Sequence, residues 1–127
     1  MNNNDIKILI VEDEVIVAME IEMGLVSQGY KVVGKAYNSG KAVDAALKQD
    51  PDIILMDINI KGGSDGIQTS KDILKSVNSS IIFLSAYNDN ETKERMKEIQ
   101  PHYFMPKPYT HSDLNELIMK VMSEKKG

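Results

Sequence analysis

The chain has no cysteine among its 127 residues. That excludes disulfides and thiolate-bound metals, and it fits a reducing compartment. Nor does any apolar run approach the ~20 residues that cross a bilayer. Met1-Asn2-Asn3-Asn4 is polar and no signal-peptide core follows it, so the chain reads as cytoplasmic, with no membrane partner. Positive charge is not in excess. Fifteen Lys and Arg against 19 Asp and Glu leave a formal net charge of −4, which argues against nucleic-acid binding by this domain. No internal repeat and no low-complexity stretch is found. What is present is an ordinary globular composition, 42% hydrophobic. A single domain over residues 1–127 buries roughly two-thirds of its unfolded surface and needs no staples.

Strand-like and helix-like segments alternate along the chain. The pattern predicts strands over 6–11, 31–36, 52–57, 80–84 and 102–105. It predicts helices over 14–28, 39–49, 66–77, 89–99 and 111–123. The boundaries follow local chemistry. Gly29 stops the first helix, Asn38 or Ser39 caps the second, and Pro51 lies just past its end. Lys61-Gly62-Gly63-Ser64 is a loop, and Asp65 can cap the third helix. Thr110 or Ser112 starts the last. The result is an α/β domain of (βα)5 type. Regular alternation implies a parallel sheet with right-handed crossovers, and the commonest five-stranded order is the flavodoxin-like 2-1-3-4-5.

Four apolar runs each end in a residue able to do chemistry. Ile6 to Val11 ends in Glu12-Asp13, Ile53 to Met56 in Asp57, Ile81 to Leu84 in Ser85, and Tyr103 to Met105 in Pro106-Lys107. Runs without polar alternation suit strands covered on both faces. Ligands of open α/β sheets bind beyond the carboxyl ends of the strands. A parallel sheet therefore brings three carboxylates, a hydroxyl and an ammonium to one edge. Each pair of carboxylates at ~4 Å repels by about 4 kcal/mol at an effective dielectric near 20, so the cluster needs a cation or a bound proton. All-oxygen ligands favour Mg2+. Lys107 would neutralise phosphoryl oxygens, Ser85 would donate a hydrogen bond to one, and Asp57 suits a nucleophilic carboxylate. Taken singly, an acidic pair after a strand is most often a helix cap and a strand-ending Asp a turn residue. Four suitable residue types at four strand ends are what discriminates.

The pieces Ile8-Leu9-Ile10-Val11-Glu12-Asp13-Glu14, Asp52 to Ile58, Asp65-Gly66-Ile67, Leu84-Ser85-Ala86 and Lys107-Pro108-Tyr109 resemble the receiver domain of two-component response regulators. The resemblance covers essentially the whole chain. It implies that Glu12, Asp13, Asp57 and the backbone carbonyl of Asn59 hold Mg2+. Asp57 would accept a phosphoryl group from a histidine kinase or phosphotransfer protein, and Ser85 and Lys107 would bind its oxygens. Ser85 and Phe104 would form the switch, Asn59 and Tyr87 would set the lifetime of the phosphorylated state, and the Lys107-Pro108 bond would be cis. The domain would catalyse only its own phosphorylation and dephosphorylation, and so is not an enzyme in the ordinary sense. A face within residues 89–123 would change on phosphorylation and support a homodimer, with Lys93, Arg95 and Asp113 as inter-subunit charges. Four features depart from the commonest family pattern. Glu12 stands where many members carry Asp, and the stretch from Asp57 to Asp65 is one residue longer. Pro106 removes a backbone donor before Lys107, and Phe104 lacks the hydroxyl of a Tyr switch, so switching would rely on packing of the ring.

The first helix carries two apolar stripes. Val17, Ile21, Gly24 and Leu25 would face the sheet. Val15, Met19, Met23 and Val26 would widen the core face or form a docking surface for a helical kinase partner, a usual role of this helix in the resembling family. Three other functions compete. An aspartyl-phosphate phosphatase would want a second aspartate where Asn59 stands. A flavin-binding protein would not place Glu12-Asp13-Glu14 against a phosphate. A degenerate receiver would lack part of the constellation that this chain keeps.

Overall fold

A computed structural model describes residues 3–60, 62, 64–86 and 89–126. Its elements are β1 (Lys7–Val11), α1 (Val15–Ser27), β2 (Lys31–Ala36), α2 (Ser39–Gln49), β3 (Ile53–Asp57), α3 (Gly66–Leu74), β4 (Ser80–Ser85), α4 (Asn90–Met96), β5 (Tyr103–Pro106) and α5 (His111–Lys126). A short 3-10 turn over Asn3–Asp5 precedes them. The five strands form one parallel sheet of order β2-β1-β3-β4-β5.

The period of two along each strand divides the core into two layers. Ile8, Ile10, Ile53, Leu55, Ile82 and Leu84 face one side, under α1 and α5. Leu9, Val11, Ile54, Met56, Ile81 and Phe83 face the other, under α2, α3 and the buried Met96. This explains the unbroken apolar runs: β3 has no solvent face. β2 and β5 are the edges, and the β5 edge accommodates Pro106, which has no amide to donate.

Capping chemistry sets most helix boundaries. The Asn38 side chain accepts from Lys41 N at 2.9 Å, so Asn38 rather than Ser39 caps α2. Asp65 caps α3 through Gln68 N, and Asp89 caps α4 through Thr92 N, which puts residue 89 outside the helix. Thr110 and Asp113 exchange backbone-to-side-chain bonds of 3.1 and 3.0 Å at the start of α5. Gly29, at φ +91, closes α1 in a conformation costly to other residues. Three helices end away from the sequence boundaries. α3 stops at Leu74 because its last bonds tighten, with Ser76 N donating to Ile73 O. α4 stops at Met96, and Ile99 N donates to Met96 O in the turn beyond. α5 runs on to Lys126. There Lys125 donates to the carbonyls of Asp52 and Asn78 and so anchors the last turn against the foot of the sheet.

No helix among the described residues is long and apolar enough to cross a membrane.

Candidate functional site

Strand register assembles the site. β1 pairs with β3 so that Val11 lies opposite Met56, which sets Glu12 beside Asp57. β4 ends beside β5 with Ser85 opposite Pro106, and Lys107 N donates to Ser85 O at 3.0 Å. That bond fixes the start of the Lys107 segment at the same edge. The Lys107-Pro108 peptide is cis.

One carboxylate oxygen each from Glu12, Asp13 and Asp57 lies within 4.8 Å of the others. Glu12 and Asp57 are buried and Asp13 is half-buried. Lys107 Nζ lies 3.4 Å from Glu12 Oε1 and 3.8 Å from Asp57 Oδ2. Glu14 N donates to Glu12 Oε2 at 3.1 Å, and Asn59 N donates to Asp57 Oδ1 at 3.1 Å. One ammonium does not balance three carboxylates. Burial, the neighbouring Asp13 and the charge of Asp57 push the Glu12 carboxyl up to about 7, against the pull of the Glu14 amide and Lys107. A cluster with that tension and an all-oxygen donor set fits a hard divalent cation. Ser85 is buried at the end of β4. Phe104 is half-buried two residues earlier on β5 than Pro106, and packs on the α2–α3 side of the sheet. Asn59 is exposed two residues after Asp57. Tyr87, with Lys61 and Gly63 of the longer loop, lies outside the described residues.

Several features at this edge have no signature in the sequence spacing. Gly66 N donates to Ile58 O at 2.7 Å, and a Cβ on Gly66 would stand 2.3 Å from Asp57 O. The loop after Asp57 therefore folds back onto the backbone of Asp57 and Ile58. Arg95 of α4 donates to both carboxylate oxygens of Asp65, at 2.5 and 3.0 Å. Arg95 and Asp113, expected as inter-subunit charges, are thus both engaged within the chain. Tyr109 is half-buried, and burial together with the charges of Glu12 and Asp57 pushes its hydroxyl up to about 12. It lines a groove of about 650 Å³ with Val17, Ile21, Met23, Lys107 and Pro108.

Along α1, Ile21, Gly24 and Leu25 are buried as the first stripe predicts, joined by Ala18. The second stripe does not widen the core. Val15, Met19, Met23 and Val26 are 50%, 48%, 70% and 57% exposed, and Ile16 is 74% exposed.

Known proteins resemble this chain. The response regulator receiver domain profile matches residues 8–119. The transcriptional regulatory protein PdtaR of Mycobacterium tuberculosis is 31% identical over 108 residues, covering 85% of this chain and 52% of its own length. The phyllosphere-induced regulator PhyR of Methylorubrum extorquens is 32% identical over 118 residues, covering 91% of this chain and 43% of its own. The chain thus spans about half the length of the curated relatives it matches. Among solved structures, the signal receiver domain of a modulated diguanylate cyclase from Desulfovibrio desulfuricans superposes with a TM-score of 0.88 at 35% identity, covering 94% of this chain and 95% of its own. A five-stranded 2-1-3-4-5 sheet, an acidic triad with a lysine at its carboxyl edge and a profile match over most of the sequence agree: the chain belongs to the response regulator receiver domain family, the signalling module of two-component systems.

Proposed function

We propose that the domain is a phosphorylatable switch in which Asp57 accepts a phosphoryl group from a histidine kinase or phosphotransfer protein. The observation that carries this is the placement of Lys107 Nζ 3.4 Å from Glu12 and 3.8 Å from Asp57, over a buried acidic triad. Glu12, Asp13, Asp57 and the Asn59 carbonyl would hold Mg2+. Bound there, the ion would neutralise the carboxylates and the oxygens of an entering phosphoryl group. The chain's own groups do the rest. Asn59 N, donating to Asp57 Oδ1, orients the acceptor carboxylate. An Asp57 oxygen attacks phosphorus as the donor's imidazole leaves. Lys107 is close enough to exchange its carboxylate contacts for phosphoryl oxygens, and Ser85 at the end of β4 can donate to another. Phe104 would then repack with Ser85, altering the face within residues 89–123. Asn59 and Tyr87 border the approach of the hydrolytic water and would set the lifetime. The exposed Val15, Met19 and Met23 suit a helical kinase partner.

The test is intact-protein mass after incubation with acetyl phosphate and Mg2+. One phosphoryl group is expected on the parent and none on Asp57→Asn. Equal labelling of the two proteins would falsify the assignment. Chelation of the metal should suppress labelling of the parent.

A further inference from the structure

α4 is seated on the molecule by little apolar burial. Of its seven residues, Asn90–Met96, only Met96 is buried. The rest of the helix is polar or charged. Two ion pairs supplement that anchor. Arg95 binds both oxygens of Asp65, and Lys71 of α3 binds Glu98 in the turn after α4. Asp65 is no ordinary surface carboxylate. It caps α3 through Gln68 N at 3.0 Å, and it precedes Gly66, the residue that lies against Asp57 O and bonds Ile58 O. A continuous covalent and hydrogen-bonded path therefore runs from the acceptor backbone through Gly66 and Asp65 to the Arg95 guanidinium. It passes through neither Ser85 nor Phe104.

Isolated surface ion pairs contribute little by default. A bidentate arginine–carboxylate fork whose carboxylate is also fixed by a helix cap is the exception. Burial alone would raise the Asp65 carboxyl, yet the Arg95 guanidinium and the Gln68 amide hold it below the usual carboxylate range. The side chains of Arg95 and Asp65 are 36% and 33% exposed, so the fork stays within reach of water and salt. It is able to open without stranding a buried charge.

We infer that Arg95 is a positioning residue that ties α4 to the acceptor loop through Asp65, and that this latch is released when the acceptor is occupied. The inference rests on the phosphoacceptor reading of Asp57. The closed latch is the Arg95–Asp65 fork. If occupation opens it, removing it must favour occupation, because coupling between two equilibria is reciprocal.

Two variants separate the latch from its surroundings. Arg95→Met removes the guanidinium and keeps a long apolar stem. Asp65→Asn removes the charge and keeps a good helix cap. Without metal or donor, hydrogen exchange of amides 93–99 should accelerate about tenfold in either variant, with the sheet unchanged. The double variant should be no worse than either single one. With Mg2+ present, beryllium fluoride, a phosphoryl mimic, should bind each variant several-fold more tightly than the parent. Faster exchange with unchanged mimic affinity would reduce the pair to a structural contact and overturn the coupling. Unchanged exchange would overturn the latch itself. A parent that binds no mimic and takes no label at Asp57 would defeat the acceptor reading, and the coupling with it. The metal-free exchange measurement would still report what seats α4.

Discussion

At the scale of single residues, the backbone around Asp57 is shaped by a side chain that is absent. Gly66 does not need an unusual φ. It needs to have no Cβ, since one would meet Asp57 O at 2.3 Å and Ile58 Cα at 2.8 Å, both backbone atoms that cannot swing aside. Gly66→Ala should therefore cost about 1–3 kcal/mol, as overpacking does elsewhere, and should displace the loop that carries Asn59. Gly40 provides the contrast. Nothing nearer than Asn38 Oδ1 at 3.6 Å faces it, and it lies within α2. Gly40→Ala should stabilise slightly, by up to about 0.5 kcal/mol, because Gly40 lies in the first turn of α2, where helix propensity counts for less than in the interior. Urea midpoints of the two variants check this, and a neutral Gly66→Ala would mean that the loop has room to spare. The four strand-end groups Glu12, Asp13, Asp57 and Lys107 were readable in the sequence because a strand-end rule places them without further knowledge. The Arg95–Asp65 fork was not. Its partners are 30 residues apart on different elements, and no periodicity links them.

At the scale of elements, α1 is the anomaly. A helix that is apolar nearly all round belongs in a core, yet Ile16, Met23 and Val26 are all more than half exposed. The two stripes were visible from spacing, but spacing could not say whether the second was buried, because that depends on how far α5 reaches over α1. Met19→Glu, at a position 48% exposed, should leave folding and acetyl phosphate labelling intact while abolishing transfer from a histidine kinase or phosphotransfer partner. Loss of folding, or unimpaired transfer, would remove α1 as the docking face. The α3–α4 junction makes a second prediction, in pH. Asp65 has its folded pKa below its unfolded one, so its contribution is present above the ordinary aspartate value and is lost as pH falls through the folded value. In urea titrations between about pH 2 and pH 5, Arg95→Met should lose less stability on acidification than the parent. Parallel acid limbs would show that the fork adds nothing to stability. The ends of α3 and α4 were misjudged from sequence for a related reason. Val77 and Ile99 continue the apolar pattern, but they pack from turns rather than from helices.

At the scale of the molecule, the sheet sets the acidic site between two unlike edges. One edge, β2 with α2, lies far in strand order from β5, and the acidic site sits between them at the ends of β1 and β3. Alternating strands and helices made this topology legible, because βα repetition leaves few parallel arrangements. The sequence could not show how a change at Asp57 would travel. Among the described residues, two routes lead from Asp57 toward the β5 edge. One runs through Ser85, whose carbonyl holds Lys107 N, and on along β5. The other runs through Asp65 to Arg95 on α4. A third contact ties the loop after Asp57 to the start of α2, where Ser39 Oγ donates to Gly62 O at 2.5 Å. Occupying Asp57 with beryllium fluoride and Mg2+ should shift backbone amide resonances within residues 89–123 more widely than those of 31–49, where the shifts should centre on Ser39 at its contact with Gly62. Taking the output face from 1:99 to 99:1 needs about 5.5 kcal/mol of differential stabilisation. On the proposed reading, the Arg95–Asp65 fork would oppose that shift, and contacts of a phosphoryl group with Lys107 and Ser85 would drive it. Arg95→Met should consequently move the amides of 90–96 part of the way before any mimic is added. Shifts spread evenly over both edges, or a face at 89–123 that does not respond to a bound mimic, would show that the signal leaves Asp57 by some other path.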